Sequence, residues 1–264
     1  MKRFKRGIAL LALVSMVLAL AGCQPAAKEE AKSEPVALTI SAAASLKDAM
    51  AEIQTLYQEE VPDTTLTLNF GSSGSLAQQI TQGAEVDVFM SASAKDMTSL
   101  KDAQFMNDDT VKNILGNEVV LVVPKDATTA ITSFEQLVDP AITKLAIGEP
   151  SSVPVGQYAM DVFNFYQITD QIQSKIINGK DVKEVLTWVE TGNVDAGVVY
   201  STDAKVSTAV KQVATAPADS HKAIVYPAGV VKASKNTEAA AAFVDFLSSD
   251  VAAAVFEKYG FTIL

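Results

Sequence analysis

A chain of 264 residues, 48% hydrophobic and 20% charged, can bury a substantial core in one large or two medium domains. Residues 1–22 hold four of its 21 basic groups and none of its 31 acidic ones, so residues 23–264 carry a formal charge of −14 (17 basic against 31 acidic). That acidity argues against nucleic acid and anionic lipid as partners; every arginine precedes residue 23, which weighs against the bidentate clamp used for α-carboxylates.

The chain opens on Lys2, Arg3, Lys5 and Arg6, followed by an apolar run over 7–20 that is shorter than the roughly 20 residues needed to span a bilayer. Small residues then lead to Cys23, the only cysteine. The pattern predicts a lipoprotein signal peptide over 1–22, cleaved so that Cys23 becomes a lipidated N-terminus. An uncleaved anchor with a buried thiol is the alternative. A lone cysteine leaves no internal disulfide. Residues 23–35 read as the lipidated end and a polar, flexible tether.

Alternating apolar residues predict a strand over 36–42, and Ser45 stands where an N-cap would, ahead of a helix over 45–57. A strand over 65–70, the glycine–serine run 71–75, a helix over 76–82, a strand over 86–90 and a helix over 95–102 follow. The run EVVLVV at 118–123 reads as a buried strand stopped by Pro124, after which the pattern starts afresh. It gives helices over 134–138, 155–166 and 181–191, with strands over 145–147 and 196–200. A strand over 224–231, interrupted by Pro227, and helices over 237–247 and 250–258 close the chain. Strands alternating with helices of this length imply an α/β fold with mainly parallel sheets flanked by helices. The restart near Glu118 and the return near Ile224 suggest two lobes: 36–117 plus 232–264, and 124–223. Residues 118–123 and 224–231 would be two crossing strands that form the hinge.

In open α/β sheets ligands sit beyond the carboxyl ends of strands, where helix N-termini present free N–H groups to an anion. Ser45 offers a hydroxyl and an N–H there, although such a serine is more often a plain N-cap. Ser73 lies in a glycine-flanked turn that permits close backbone approach, or in a simple flexible loop. Val155, after Pro154, places its N–H in a helix's first turn. Asp181 would cap the next helix and leave the Val182 N–H pointing outward. Tyr200 ends the strand AGVVY and is by itself more often a rim or core tyrosine. The shared placement of these five neutral groups points to a small oxyanion. Catalysis is disfavoured, because His221 is the only histidine and lies in a polar stretch, so Ser73 has no evident base. The acidic residues show no metal-loop spacing.

Several segments carry a resemblance: AAASL (42–46), FGSSGSLAQQI (70–80), GAEVDVFMSA (83–92) and LGNEVVLVVPK (115–125). So do GEPSSVPVGQYA (148–159), GVVYSTDA (197–204), DSHKAIVYP (219–227) and FEKYGFTI (256–263). In this order they resemble the molybdate-binding proteins of molybdate ABC transporters, a type II substrate-binding family. The resemblance implies a two-lobed periplasmic-binding-protein-like fold that binds molybdate, and tungstate with it, in the interlobe cleft. Ser45 and Ser73 would bind through hydroxyl and N–H, Val155 and Val182 through backbone N–H, and Tyr200 through its hydroxyl. Alanine is frequent in that family where this chain has Val155, a change that spares the amide and bears on cleft closure. The resemblance further implies a monomer with no cofactor and no free cation site, the metal entering only as the bound oxyanion. Its partners would be a membrane permease with a cytoplasmic ATPase, and lipidated Cys23 would anchor it to the outer face of the cell membrane. A receptor for another small anion such as sulfate, and a secreted serine hydrolase, are the competing readings.

Overall fold

The computed structural model describes residues 35–128 and 130–264. The segments expected to be signal peptide (1–22) and lipidated tether (23–35, with Cys23) lie, but for Pro35, outside the described residues. Eleven strands form two sheets among the described residues. The first sheet contains β1 (Val36–Ala43), β2 (Thr64–Gly71), β3 (Val88–Met90), β4 (Lys112–Asn117), β10 (Ile224–Val230) and β11 (Thr262–Ile263), in the order β11-β4-β10-β3-β1-β2. The second contains β5 (Val119–Pro124), β6 (Leu145–Gly148), β7 (Ile176–Gly179), β8 (Ala196–Tyr200) and β9 (Val210–Thr215), in the order β7-β6-β8-β5-β9. The fold is α/β and two-lobed.

Both sheets are mixed, where mainly parallel ones were expected. β1 runs parallel to β2 and β3, and β6 runs parallel to β7 and β8. β10 is antiparallel to β3 and β4, and β5 is antiparallel to β8 and β9. The reason lies in the connections. β5 and β10 are the first strands the chain makes after leaving the other sheet, so each enters at the cleft end and runs away from it. Val119, the first residue of β5, accordingly pairs with Tyr200, the last of β8. The segments expected to form the hinge, 118–123 and 224–231, therefore pair within one sheet each. The chain passes between sheets at Asn117–Val119 and again between Thr215 and Ile224.

Helices α1 (Lys47–Glu60), α2 (Ser73–Thr81) and α3 (Ala94–Asp102) belong to the first lobe, and α4 (Pro154–Phe165), α5 (Thr169–Ile172), α6 (Val182–Glu190) and α7 (Ser201–Val206) to the second. The chain closes with α8 (Thr237–Phe246) and α9 (Asp250–Tyr259). α1 turns Ala49, Met50, Ile53 and Tyr57 inward, the 3–4 spacing of an amphipathic helix. The Tyr57 ring meets Phe243 and Phe246 of α8 edge-on, with centroids 4.9 and 5.0 Å apart. β5 is buried along all of Val119–Val123, which explains its unbroken apolar run in a strand covered on both faces. Each lobe thus has a rigid floor, and the loops that leave the strand ends toward the other lobe are held from below.

Candidate functional site

Those strand ends converge. Ser45, Ser73, Val155, Val182 and Tyr200 all line one cavity of about 10 Å³, and Ser72, Ala92 and Pro154 share its wall. The walls meet closely here, leaving about the space of one water molecule between them. A larger groove of about 470 Å³ lies on the first lobe near Ala37 and Lys235, and none of the five residues lines it.

Each group reaches the cavity by a local device. β1 runs into a 3-10 turn, Ala44–Leu46, that passes directly into α1. Ser45 lies inside that turn, so it does not serve as the N-cap expected from its position, and its side chain caps nothing. Its Oγ is instead 3.0 Å from the Tyr226 hydroxyl. α2 begins at Ser73 rather than Leu76, with Ser72 at the N-cap. The Ser72 hydroxyl donates to Ser75 Oγ at 2.7 Å, and Ser73 Oγ accepts the Ala92 N–H at 2.9 Å. The bland readings of both serines, a cap and a flexible loop, do not describe what these buried side chains do.

In the second lobe, Pro154 occupies the first turn of α4, a position that suits its fixed φ, and Val155 follows it. Asp181 caps α6 as expected and accepts the Glu184 N–H at 2.9 Å. Val155 and Val182 therefore sit in first turns, whose N–H groups have no partner within their helices. Tyr200 is 1% exposed, and its hydroxyl has no hydrogen-bond partner among the described residues. Burial pushes the phenol well above its ordinary pKa, with Tyr226, Tyr158 and Asp203 adding to the shift, so the hydroxyl keeps its proton.

The site is closed by contacts across the lobes. The Gly74 N–H donates to the Ser152 carbonyl at 3.0 Å. A Cβ on Gly74 would lie 2.7 Å from that oxygen, so only glycine permits this approach. Beside the cavity, Lys183 Nζ sits 2.7 Å from Asp48 Oδ2 of α1 and 2.9 Å from Asp203 Oδ1 of α7. Burial lowers the lysine's proton affinity, but Asp203 and Asp48 outweigh it and leave the pKa raised. This cation is spent on two carboxylates, so the cavity is faced by neutral donors. Among the described residues, no group of three or more His, Cys, Asp or Glu is placed to hold a metal ion.

Sequence reasoning missed Asn117 and Tyr226, which stand directly behind Ser45. Asn117 Nδ2 donates to the Tyr226 hydroxyl at 3.1 Å and to Thr202 Oγ1 at 2.9 Å. Tyr226 stood beside the Pro227 interruption, and neither residue type at that spacing signals a role.

The profile of the family described as "Bacterial extracellular solute-binding protein" matches residues 38–262. The putative ABC transporter substrate-binding lipoprotein YvgL of Bacillus subtilis is 45% identical over 259 residues, covering 98% of this chain and 99% of its own. The molybdate-binding protein ModA of Haemophilus influenzae is 38% identical over 230 residues, covering 85% and 89%. Among solved structures, the substrate-binding domain of a putative molybdenum ABC transporter from Clostridium difficile is 41% identical, with a TM-score of 0.67, covering 87% of this chain and 99% of that domain.

Proposed function

The chain belongs to the bacterial extracellular solute-binding protein family, and from that premise we propose that it is the receptor of an ABC importer for molybdate, and for tungstate with it. What supports this reading is the convergence of five neutral donor positions from both lobes on one small cavity. The Ser45 and Ser73 hydroxyls, the Val155 and Val182 amides and the Tyr200 hydroxyl would surround a tetrahedral dianion. Each hydrogen bond to a charged acceptor contributes roughly 1.5–3 kcal/mol. Several together, set against desolvation and closure, leave room for micromolar to nanomolar binding without a compensating cation. A serine hydrolase is disfavoured because Ser73 Oγ meets a backbone N–H and Ser45 Oγ a phenol, and neither faces a base.

The lobes would be 36–117 plus 232–264 and 124–223, closing over the anion by a hinge at the two chain crossings. Delivery would be to a permease with a cytoplasmic ATPase, by a monomer held on the outer face of the cell membrane through lipidated Cys23. Calorimetric titration of the purified protein with molybdate, tungstate, sulfate and phosphate tests the reading. One-to-one binding of the first two, unchanged between about pH 6 and 8 because no proposed contact titrates there, is the expected outcome. Tight sulfate binding would reassign the ligand, and no heat with any of the four would end the receptor reading.

Closure can be tested separately. Gly74→Ala is expected to weaken molybdate binding by about tenfold, or ~1.4 kcal/mol, since its Cβ meets the Ser152 carbonyl only when the lobes are together. The ligand-free protein should be no less stable, because alanine in a helix's first turns is favoured over glycine. Titration and thermal unfolding of the same preparation would separate the two effects.

A further inference from the structure

We infer that Lys183 and Asp48 are positioning residues that latch the two lobes over a bound anion, with Asp203 as the anchor that makes the latch effective. The inference rests on the receptor reading above and adds to it the groups that set how long the cleft stays shut. Each half of the latch neighbours a proposed anion contact. Lys183 follows Val182 in the first turn of α6, and Asp48 lies in the first turn of α1, three residues beyond Ser45. Lys183 Nζ meets Asp48 Oδ2 across the lobes at 2.7 Å. Within its own lobe it lies 2.9 Å from Asp203 Oδ1.

The two carboxylates have different tasks. Asp203 is fully buried on α7, so its charge needs the lysine whether the cleft is open or shut. α6 and α7 belong to one lobe, and their pair moves as a unit. Asp48 belongs to the other lobe and its side chain is 44% exposed, so water takes the place of the lysine when the lobes part. An exposed ion pair ordinarily contributes little, because two long side chains must be frozen to make it. Here Asp203 already holds the lysine, and only the short aspartate side chain remains to be fixed. Closure gains a charge-assisted hydrogen bond at a small cost in entropy. The bridge forms only after the lobes meet, so it acts on the release of the anion and not on its capture.

The test is Asp48→Asn, because the latch and simple electrostatics predict opposite signs. Asp48 is a negative charge near the proposed place of a dianion, and its removal relieves repulsion. Repulsion alone therefore predicts tighter molybdate binding. The latch predicts binding weakened by about fivefold, with the loss carried by faster dissociation. Calorimetric titration gives the affinity, and a chase of bound radiolabelled molybdate with unlabelled anion gives the dissociation rate. The urea unfolding midpoint of the ligand-free variant should stay close to that of the native protein. In the Lys183→Met/Asp203→Asn protein there is no latch to break, so adding Asp48→Asn should cause no loss of affinity. Should that triple variant fail to fold, the sign measured in Asp48→Asn alone decides. Unchanged or tighter binding in Asp48→Asn, a loss carried by slower association, or an equal loss without Lys183 would overturn the latch. A native protein that binds neither molybdate nor tungstate would overturn the receptor reading, and the latch with it.

Discussion

Val182→Pro is expected to weaken molybdate binding by about 10–100-fold while α6 and the fold stay intact. The substitution removes one backbone N–H and nothing the helix needs. Val182 is the first residue of α6, where a proline's missing N–H is no loss to the helix and its fixed φ is already suitable. The residue before a proline must be extended, and Asp181 is, with φ −157° and ψ 172°. The Asp181 cap to the Glu184 N–H is untouched, because it uses the side chain of one and the amide of the other. What disappears is a donor proposed to face the anion, at roughly 1.5–3 kcal/mol for a bond to a charged group. Titration with molybdate beside a urea unfolding curve checks both halves. Binding retained with the fold intact would show that the Val182 amide is not part of the cage. Loss of stability by several kcal/mol would instead show that the valine side chain, 3% exposed, matters more than the amide.

Why Val182 could be found from the sequence and Asn117 could not is a matter of range. An aspartate ahead of an apolar helix carries its own local instruction, and the free amide after it follows from helix geometry alone. Pro154 gives a similar instruction at α4. Ser45 was legible only in part. Its neighbourhood on the strand end was right, but the 3-10 turn that takes it out of the cap depends on how β1 meets α1. The strands that went unseen have a common cause. β4 buries only Ile114–Gly116 and runs almost straight into β5, β7 is short and largely unburied, β9 buries no residue fully, and β11 has two residues, so none carries a long period of hydrophobic burial. The mixed sheets were missed because strand direction after a crossing is set by which end the chain enters. Asn117, Tyr226 and Lys183 act through partners 85, 181 and 135 residues away, and no local pattern encodes such a pairing.

Lys183→Met is expected to destabilise the protein by about 3 kcal/mol at neutral pH, and by less in acid. Methionine keeps most of the lysine stem, so packing changes little and the charge is what is lost. The pair is asymmetric: the Asp203 side chain is 0% exposed, while that of Lys183 is 22% exposed. Removing the lysine strands a buried carboxylate, the costly way to break such a pair, at about 3–5 kcal/mol. The lower figure applies because the lysine end is partly solvated. Burial already lifts the Asp203 carboxyl above its ordinary pKa, and Lys183 is the main group opposing that rise. Without it the folded-state pKa climbs further. A carboxyl whose folded pKa is raised adds stability below its unfolded value and loses it as the pH rises through the folded one. The deficit of the variant is therefore a neutral-pH deficit that shrinks as Asp203 takes up a proton. Lys183 itself, raised above the ordinary lysine value, stays charged throughout that range. Urea unfolding of both proteins at neutral and acid pH measures the effect. Adding Asp203→Asn to Lys183→Met should restore most of the loss, because no buried charge is then left alone. Failure of that rescue would assign the stability to the Lys183–Asp48 bridge between the lobes. The same side chain would then hold the closed cleft together.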